Sequence, residues 1–422
     1  GVTRVLRDGA EVERSTQPPL AFIEAWRARF KVALPQGMPR FCGGLAGYFG
    51  YDAVRYIEPR LQESARRNPR PDPLDMPDIL LLQCEELAVI DNLAGRMSFI
   101  VYADPAQPDA FARATRRLQE LRDSLRAATR APAMPPAEVT PVEHEFEHAD
   151  YLRAVLSAKD LIAAGDFMQV QVGQRLRKRF EQSPLSLYRA LRSLNPSPYM
   201  YFYNFGDFQV VGSSPEILVR QEATPDGQKV TIRPLAGTRP RGETPEADLA
   251  NERELLADPK ERAEHLMLID LARNDLGRIA HVGSVKVTEA FAIERYSHVM
   301  HIVSNVEGLL RPGLGALDVL RATFPAGTLS GAPKIRAMEV IDELEPTRRG
   351  LYGGAVGYWS FAGDMDLAIA IRTGIVKGGW LYVQAAAGVV ADSVPEMEWR
   401  ETEAKARALL RAAEQVQQGL DA

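Results

Sequence analysis

Two pairs of glutamates carry the first chemical suggestion in this sequence. Glu261 and Glu264 lie three apart in PKERAEHLMLIDLARNDLGR, and Glu398 and Glu401 repeat that spacing in PEMEWRETEAKA. On a helix, residues three apart share a face, so each pair sets two carboxylates side by side. Two such faces meeting across a cleft would offer hard oxygen donors with room for water, which is the coordination Mg2+ prefers. Taken singly, an E-x-x-E is more often a solvated helix face, and spacing alone does not separate the readings. Lys405 follows Glu401 by four residues and reads as an i,i+4 ion pair. Arg372, in DLAIAIRTGI, is a charge inside an apolar run. It meets either an internal carboxylate or an anionic ligand, because a buried unpaired guanidinium is costly.

All six histidines fall between His144 and His301, and His298 and His301 stand three apart in ERYSHVMHIVSNVEG. Such a pair suits a metal, a general base or a packed core. The H-E-x-x-H pattern of zinc peptidases is absent. Glycines cluster in FCGGLAGYFGYDAVRY, PAGTLSGAPK and YGGAVGY, but none forms a phosphate-binding loop, so nucleotide binding is disfavoured. Tight turns and close backbone packing account for most of them. SGAPK could present backbone N–H groups to an anion, with Pro333 suited to a first helical turn. There is no G-x-S-x-G elbow, and neither Cys42 nor Cys84 sits in a catalytic setting.

The elements that must position these groups follow from periodicity. Helices are expected over 21–30, 109–125, 149–164, 245–257, 259–276 and 397–415. Strands are expected over 78–82, 87–90, 97–102, 208–212, 230–234, 353–359, 366–376 and 381–390. The two kinds do not alternate one for one, which favours an α+β sheet assembly over a doubly wound fold. The stretch AATRAPAMPPAEVTPV, residues 127–142, is rich in Ala and Pro and reads as a linker. It separates an amino-terminal domain, 1–126, from a second domain, 143–422.

Composition sets the outer bounds. The 422 residues are 45% hydrophobic and 25% charged, enough for a large core, and the net charge of −5 gives no reason to expect nucleic acid or an anionic membrane. Two cysteines exclude a disulfide scaffold and a cysteine zinc cluster, and a reducing cytoplasm fits. No apolar stretch approaches ~18 residues, so no membrane span is expected. The chain opens on Gly1 rather than Met and is read as a fragment or a processed chain.

Further segments complete the pattern: GGLAGYFGYDAVRYIE, GDFMQVQVGQR, LRSLNPSPYMYFYNFGDFQVVGSSPEILVR, PLAGTRPRG, FPAGTLSGAPKIRAMEVIDELEPTRRG and ADSVPEMEWRETEAKARALL. Together with the glutamate, histidine and arginine segments they resemble, collinearly from about Phe41 onward, the chorismate-utilising enzymes. The likeness is greatest to their anthranilate synthase component I branch. It implies that family's fold, with large antiparallel-rich sheets packed as a sandwich and helices around them. It also implies ammonia-dependent conversion of chorismate to anthranilate, with loss of pyruvate, at the first committed step of tryptophan biosynthesis.

Residue by residue, the resemblance implies Mg2+ held by Glu261, Glu264, Glu398 and Glu401. Gly237, Thr238 and Lys405 correspond to ring-carboxylate contacts, Tyr352 and Arg372 to enolpyruvyl-carboxylate contacts, and Gly388 to a further substrate-binding position. Glu216 of SSPEILV falls at the general acid for the leaving hydroxyl, which requires a raised carboxyl pKa. His301 matches the histidine of pyruvate elimination, with His298 a neighbour without chemical duty. Water-adding relatives carry a lysine where Gln169 stands, and a covalent lysine is replaced by Ala236; both changes favour ammonia attacking directly.

A separate glutamine amidotransferase, component II, is the implied ammonia source. Tryptophan is a possible feedback inhibitor through a pocket that includes Asn195, Pro196, Met200 and Tyr201. The family's Leu-Leu-Glu-Ser segment has no counterpart here, so the amino-terminal domain is expected to be truncated. Ala386 replaces a usual glycine and could crowd the carboxylate, and Gly173 replaces a small hydroxylated residue or Ala. Two rival readings stay open: an aminodeoxychorismate synthase large subunit, against which Ala236 and NPSPYM stand, and, on the truncation and Ala386, a catalytically weak chorismate-binding subunit.

Overall fold

The computed structural model describes residues 1–127, 135–296 and 299–419. Most of the first half of the expected linker and His298 therefore lie outside the described residues. Among those described, two large antiparallel sheets dominate, and helices pack around them.

The seven-stranded sheet runs Gly331–Ala332, Gln169–Arg179, Trp380–Val389, Thr373–Lys377, Phe208–Ser214 and Tyr199–Asn204, with Val142–His144 on the flank of Gln169–Arg179. The nine-stranded sheet runs Leu235–Pro240, Val299–Leu309, Gly227–Ile232, Ile217–Thr224, Met365–Ile369, Ala355–Ser360, Gly44–Phe49 and Ile79–Cys84, with Lys286–Arg295 also paired to Val299–Leu309. Tyr48 and Val356 of the larger sheet share one buried cluster with Phe208, Val210 and Ile375 of the smaller, so the sheets pack face to face. Strands Gly44–Phe49 and Ile79–Cys84 lie before residue 127, yet they complete a sheet built otherwise from residues beyond it. Glycine makes that junction possible. Gly47 and Gly357 are register partners, and a Cβ on either would lie 2.1 or 2.0 Å from a neighbouring carbonyl oxygen.

The expected helices form within a few residues of their bounds, and the expected strands do so with one correction. The apolar run 366–376 is not one strand. It divides into Met365–Ile369 in the larger sheet and Thr373–Lys377 in the smaller, and Arg372 falls in the gap at φ +51°. The chain crosses between sheets there, and both ends of the crossing are buried, so hydropathy does not mark the break. A second crossing lies beside it, where Phe208–Ser214 passes into Ile217–Thr224 through Glu216.

Two helices carry the glutamate pairs. Pro259–Gly277 buries His265, Leu268, Ile269, Ala272 and Leu276, a stripe of helical period. The side chain of Asp258 caps it by accepting the N–H groups of Lys260 and Glu261. His265 is a packed core histidine rather than a ligand: its Nε2 lies 2.7 Å from Ser304 Oγ and ties the helix to the strand bearing His301. Helix Pro395–Gln418 packs Ala406, Leu409, Ala413 and Val416 against Leu176, Leu381 and Val383 of the smaller sheet. SGAPK differs from expectation. Its backbone is taken up by pairing with Gln169 and Val170, and Pro333 caps helix Lys334–Leu344 from one position outside it.

Candidate active site

The two crossings put Glu216 and Arg372 at the seam between the sheets. Glu216 is only 8% exposed, and its Oε1 accepts a hydrogen bond from the Thr328 hydroxyl at 3.0 Å. Burial pushes its carboxyl up to about 8, against the opposing pull of the Thr328 bond and of Lys405. The carboxyl is therefore largely protonated at neutral pH. The expectation of a raised acid is met by position, not by neighbouring negative charge.

Arg372 lies at the same seam, between Met365–Ile369 and Thr373–Lys377. Among the described residues no carboxylate pairs with it, and burial lowers its pKa with only Tyr352 opposing. Tyr352 is itself buried, and its hydroxyl is pushed far up by desolvation. The main chain of Ala386 lies near that phenol oxygen. The carbonyl of the same residue accepts Lys405 Nζ at 2.8 Å. Lys405 also makes the anticipated ion pair with Glu401 at 2.7 Å.

Gly237 sits at a bulge in Leu235–Pro240 with φ +74°, which turns its carbonyl toward His301. His301 Nδ1 lies 3.1 Å from Gly237 O and 3.0 Å from Thr238 Oγ1. A carbonyl can only accept, so Nδ1 carries the proton and Nε2 keeps its lone pair. Burial lowers the His301 pKa, and Arg372 adds to that effect, so the ring is neutral. A Cβ on Gly237 would lie 3.2 Å from Glu261 Oε2, which brings the first glutamate pair to the same wall.

The four glutamates act on one another across the cleft. Burial raises the Glu264 carboxyl, and Glu261 and Glu401 push it further. Burial likewise raises Glu398, with Glu401 adding to it and Ser393 opposing. Arg239 pairs with Glu261 at 3.2 Å and also with Glu254 and Asp258. Among the described residues no three His, Cys, Asp or Glu stand at ligating spacing. The set fits a hard divalent cation by donor chemistry, with two of its four charges offset by Arg239 and Lys405, and not as a preformed cage.

Gly388 lies across the strand pair from Gln171, and a Cβ on it would meet Gln169 Nε2 at 2.8 Å and Gln171 Nε2 at 3.0 Å. Eleven of the twelve expected catalytic, binding and metal residues thus connect in one neighbourhood, and Gly388 lies two residues along the strand from Ala386. The residues expected around tryptophan lie apart from it on the far strand, Tyr199–Asn204, and the turn before it. They touch the site only indirectly: Ser213 Oγ donates to Asn195 O while Ser213 N donates to Arg372 O, and the Tyr201 hydroxyl bonds Thr373 Oγ1. Pro196 is exposed. Sequence reasoning missed Thr328 and the Ala386 main chain. Thr328 lies inside the quoted segment PAGTLSGAPK, and its hydroxyl was the available signal.

A face-to-face antiparallel sandwich with acid, guanidinium and carboxylate pairs at its seam defines a class. The profile of the chorismate binding enzymes matches residues 7–411, and the chain belongs to that family. Anthranilate synthase component 1 of Neisseria meningitidis serogroup A is 56% identical over 99% of this chain and 84% of its own length. The Pseudomonas aeruginosa protein of the same name is 56% identical over 99% and 85%. The crystal structure of anthranilate synthase component I from Streptococcus pneumoniae matches with a TM-score of 0.85 at 38% identity, covering 97% of this chain and 92% of that one.

Proposed function

We propose that this chain is an anthranilate synthase component I, which aminates chorismate with ammonia and eliminates pyruvate. The observation that carries the reading is the buried Glu216 carboxyl, protonated at neutral pH and held in the same backbone frame as Arg372 at the sheet crossing. Arg372 and the phenol of Tyr352 would bind one substrate carboxylate, and Lys405 with the Gly237–Thr238 bulge the other. Glu216 gives its proton to the ring hydroxyl, which leaves as water while ammonia forms the new carbon–nitrogen bond. His301 Nε2 then takes the proton from the aminated carbon, and the enolpyruvyl group departs as pyruvate. The absence of a lysine at 169 and 236 supports ammonia over water or a covalent amine as nucleophile.

Glu261, Glu264, Glu398 and Glu401 would hold Mg2+, which when bound neutralises carboxylate charge on the substrate. A glutaminase partner supplying ammonia and inhibition by tryptophan belong to the same proposal. Among the described residues no helix is long and apolar enough to cross a membrane.

The test is anthranilate fluorescence from the purified chain with chorismate, MgCl2 and ammonium at alkaline pH. Product that disappears with EDTA supports the reading. Aminodeoxychorismate in place of anthranilate, or chorismate binding without turnover, would overturn it.

A further inference from the structure

Behind the site lies a buried guanidinium that the proposed reaction does not use. Arg349 is 2% exposed and Glu345 3%, and the two pair at 2.6 Å. Glu345 also accepts the N–H of Gly173 at 2.7 Å. Arg349 Nη1 donates to Leu329 O at 2.6 Å, and Nη2 donates to Gln171 O at 3.1 Å. The N–H of Gln171 in turn donates to Ser330 O at 2.9 Å. Arg349 and Gln171 thus grip the end of the turn Gly327–Leu329, whose Thr328 hydroxyl reaches Glu216 at 3.0 Å. The main chain of Arg349 serves a different contact, its carbonyl accepting the N–H of Tyr352 at 3.3 Å.

A buried ion pair is a weak source of stability, because desolvation offsets much of the attraction. What this pair supplies is direction. A planar fork of fixed N–H groups grips one carboxylate and two carbonyls on separate segments at once, which a single ammonium cannot do. The ring of Tyr51 covers the guanidinium at 4.7 Å from its centroid and limits its swing.

We propose that Arg349 is a positioning residue for the proton donor. Its guanidinium fixes the Gly327–Leu329 turn to strand Gln169–Arg179, and the turn thereby holds Thr328 against Glu216. Arg349 acts through Thr328 and touches neither substrate nor the reacting atoms. The proposal rests on the reading of Glu216 as general acid. A change confined to the Arg349 side chain disturbs the acid and leaves the main-chain tether of Tyr352 in place.

The test is a double-mutant cycle between Arg349→Lys and Thr328→Val, read in steady-state kinetics with ammonia. Each single variant should lower kcat about tenfold, with KM for chorismate within about threefold of the parent. The double variant should fall no more than about threefold below either single. Independent effects that multiply to about a hundredfold overturn the coupling, as does a parental kcat in Arg349→Lys. A second readout follows the proton itself, as the infrared carbonyl band of the protonated carboxyl that Glu216→Gln removes. Thr328 and Lys405 both oppose the effect of burial on Glu216, and Lys405 is untouched in these variants. Both single variants should therefore move the loss of that band to higher pH. A lowered melting temperature with the band's titration unmoved would make Arg349 merely structural and overturns the proposal. If Arg349→Lys does not fold, Arg349→Met with Glu345→Gln takes its place, since it removes both buried charges and keeps an oxygen for Gly173 N–H. A parental kcat in Glu216→Gln overturns the reading of the acid instead, and the band alone then decides the positioning.

Discussion

Glu216 and Arg372 are pinned to each other's strands by reciprocal hydrogen bonds. The carbonyl of Glu216 accepts the N–H of Ile369 at 3.0 Å, three residues before Arg372. The carbonyl of Arg372 accepts the N–H of Ser213 at 3.1 Å, three residues before Glu216. The proposed proton donor and the proposed carboxylate fork therefore share one backbone frame and cannot drift apart independently.

Replacing Glu216 by Gln should lower kcat by roughly 10²–10⁴, the usual range for a general acid. It should also change the pH dependence of stability. Between its ordinary value of 4.5 and about 8, the folded chain keeps a proton on Glu216 that the unfolded chain has shed. The resulting stabilisation is complete below the lower value and is lost as pH rises through the upper one, by up to about 1.4 kcal/mol per pH unit. Melting curves above pH 8 should therefore find the Gln variant more stable than the parent. Equal melting temperatures across pH 5–9 would refute a buried, proton-retaining Glu216.

Arg372→Met separates a ligand-binding guanidinium from a structural one. Among the described residues no carboxylate loses a partner, so the melting temperature should hold or rise. KM for chorismate should increase by about 30- to 150-fold, as expected for a lost charge-assisted contact of ~2–3 kcal/mol. A fall of several degrees with KM intact would point to a structural role.

His301→Ala should stop the reaction after amination. Chorismate consumption should continue while anthranilate formation drops by about 10²–10⁴, and an ammonia adduct that retains the enolpyruvyl group should accumulate in mass spectra. Loss of chorismate consumption itself would place His301 in the first step instead.

The raised carboxyls of Glu264 and Glu398 give the proposed metal a pH signature. Ligands must shed protons to bind, so Mg2+ affinity should weaken as pH falls, and calorimetry should show a buffer-dependent heat from released protons. Glu264→Gln should abolish both the Mg2+ heat and turnover. Retained Mg2+ binding in that variant would move the site elsewhere.

The i,i+3 glutamates and the Glu401–Lys405 pair were readable from spacing, because helical geometry is local and fixes which side chains share a face. The break before Thr373 was not. DLAIAIRTGI stays apolar through the crossing because both sheets bury it, and a non-glycine residue at positive φ leaves no compositional mark. The register pairing of Gly173 with Ala386 was equally hidden, since register between strands far apart in sequence is set by tertiary packing. Glu216 was found through its motif, but its burial, which supplies the acidity argument, depends on Thr328 and on both sheets together.

Strand Gly44–Phe49 leaves the ribosome early, and its sheet partner Ala355–Ser360 follows roughly three hundred residues later. At 5–20 residues per second the wait is on the order of 15–60 s. During that interval the segment can pair only with Ile79–Cys84, and its other edge has no native partner. Folding in the cell is thus tied to completion of synthesis, and a chain stalled before its last quarter should engage holding chaperones through this segment.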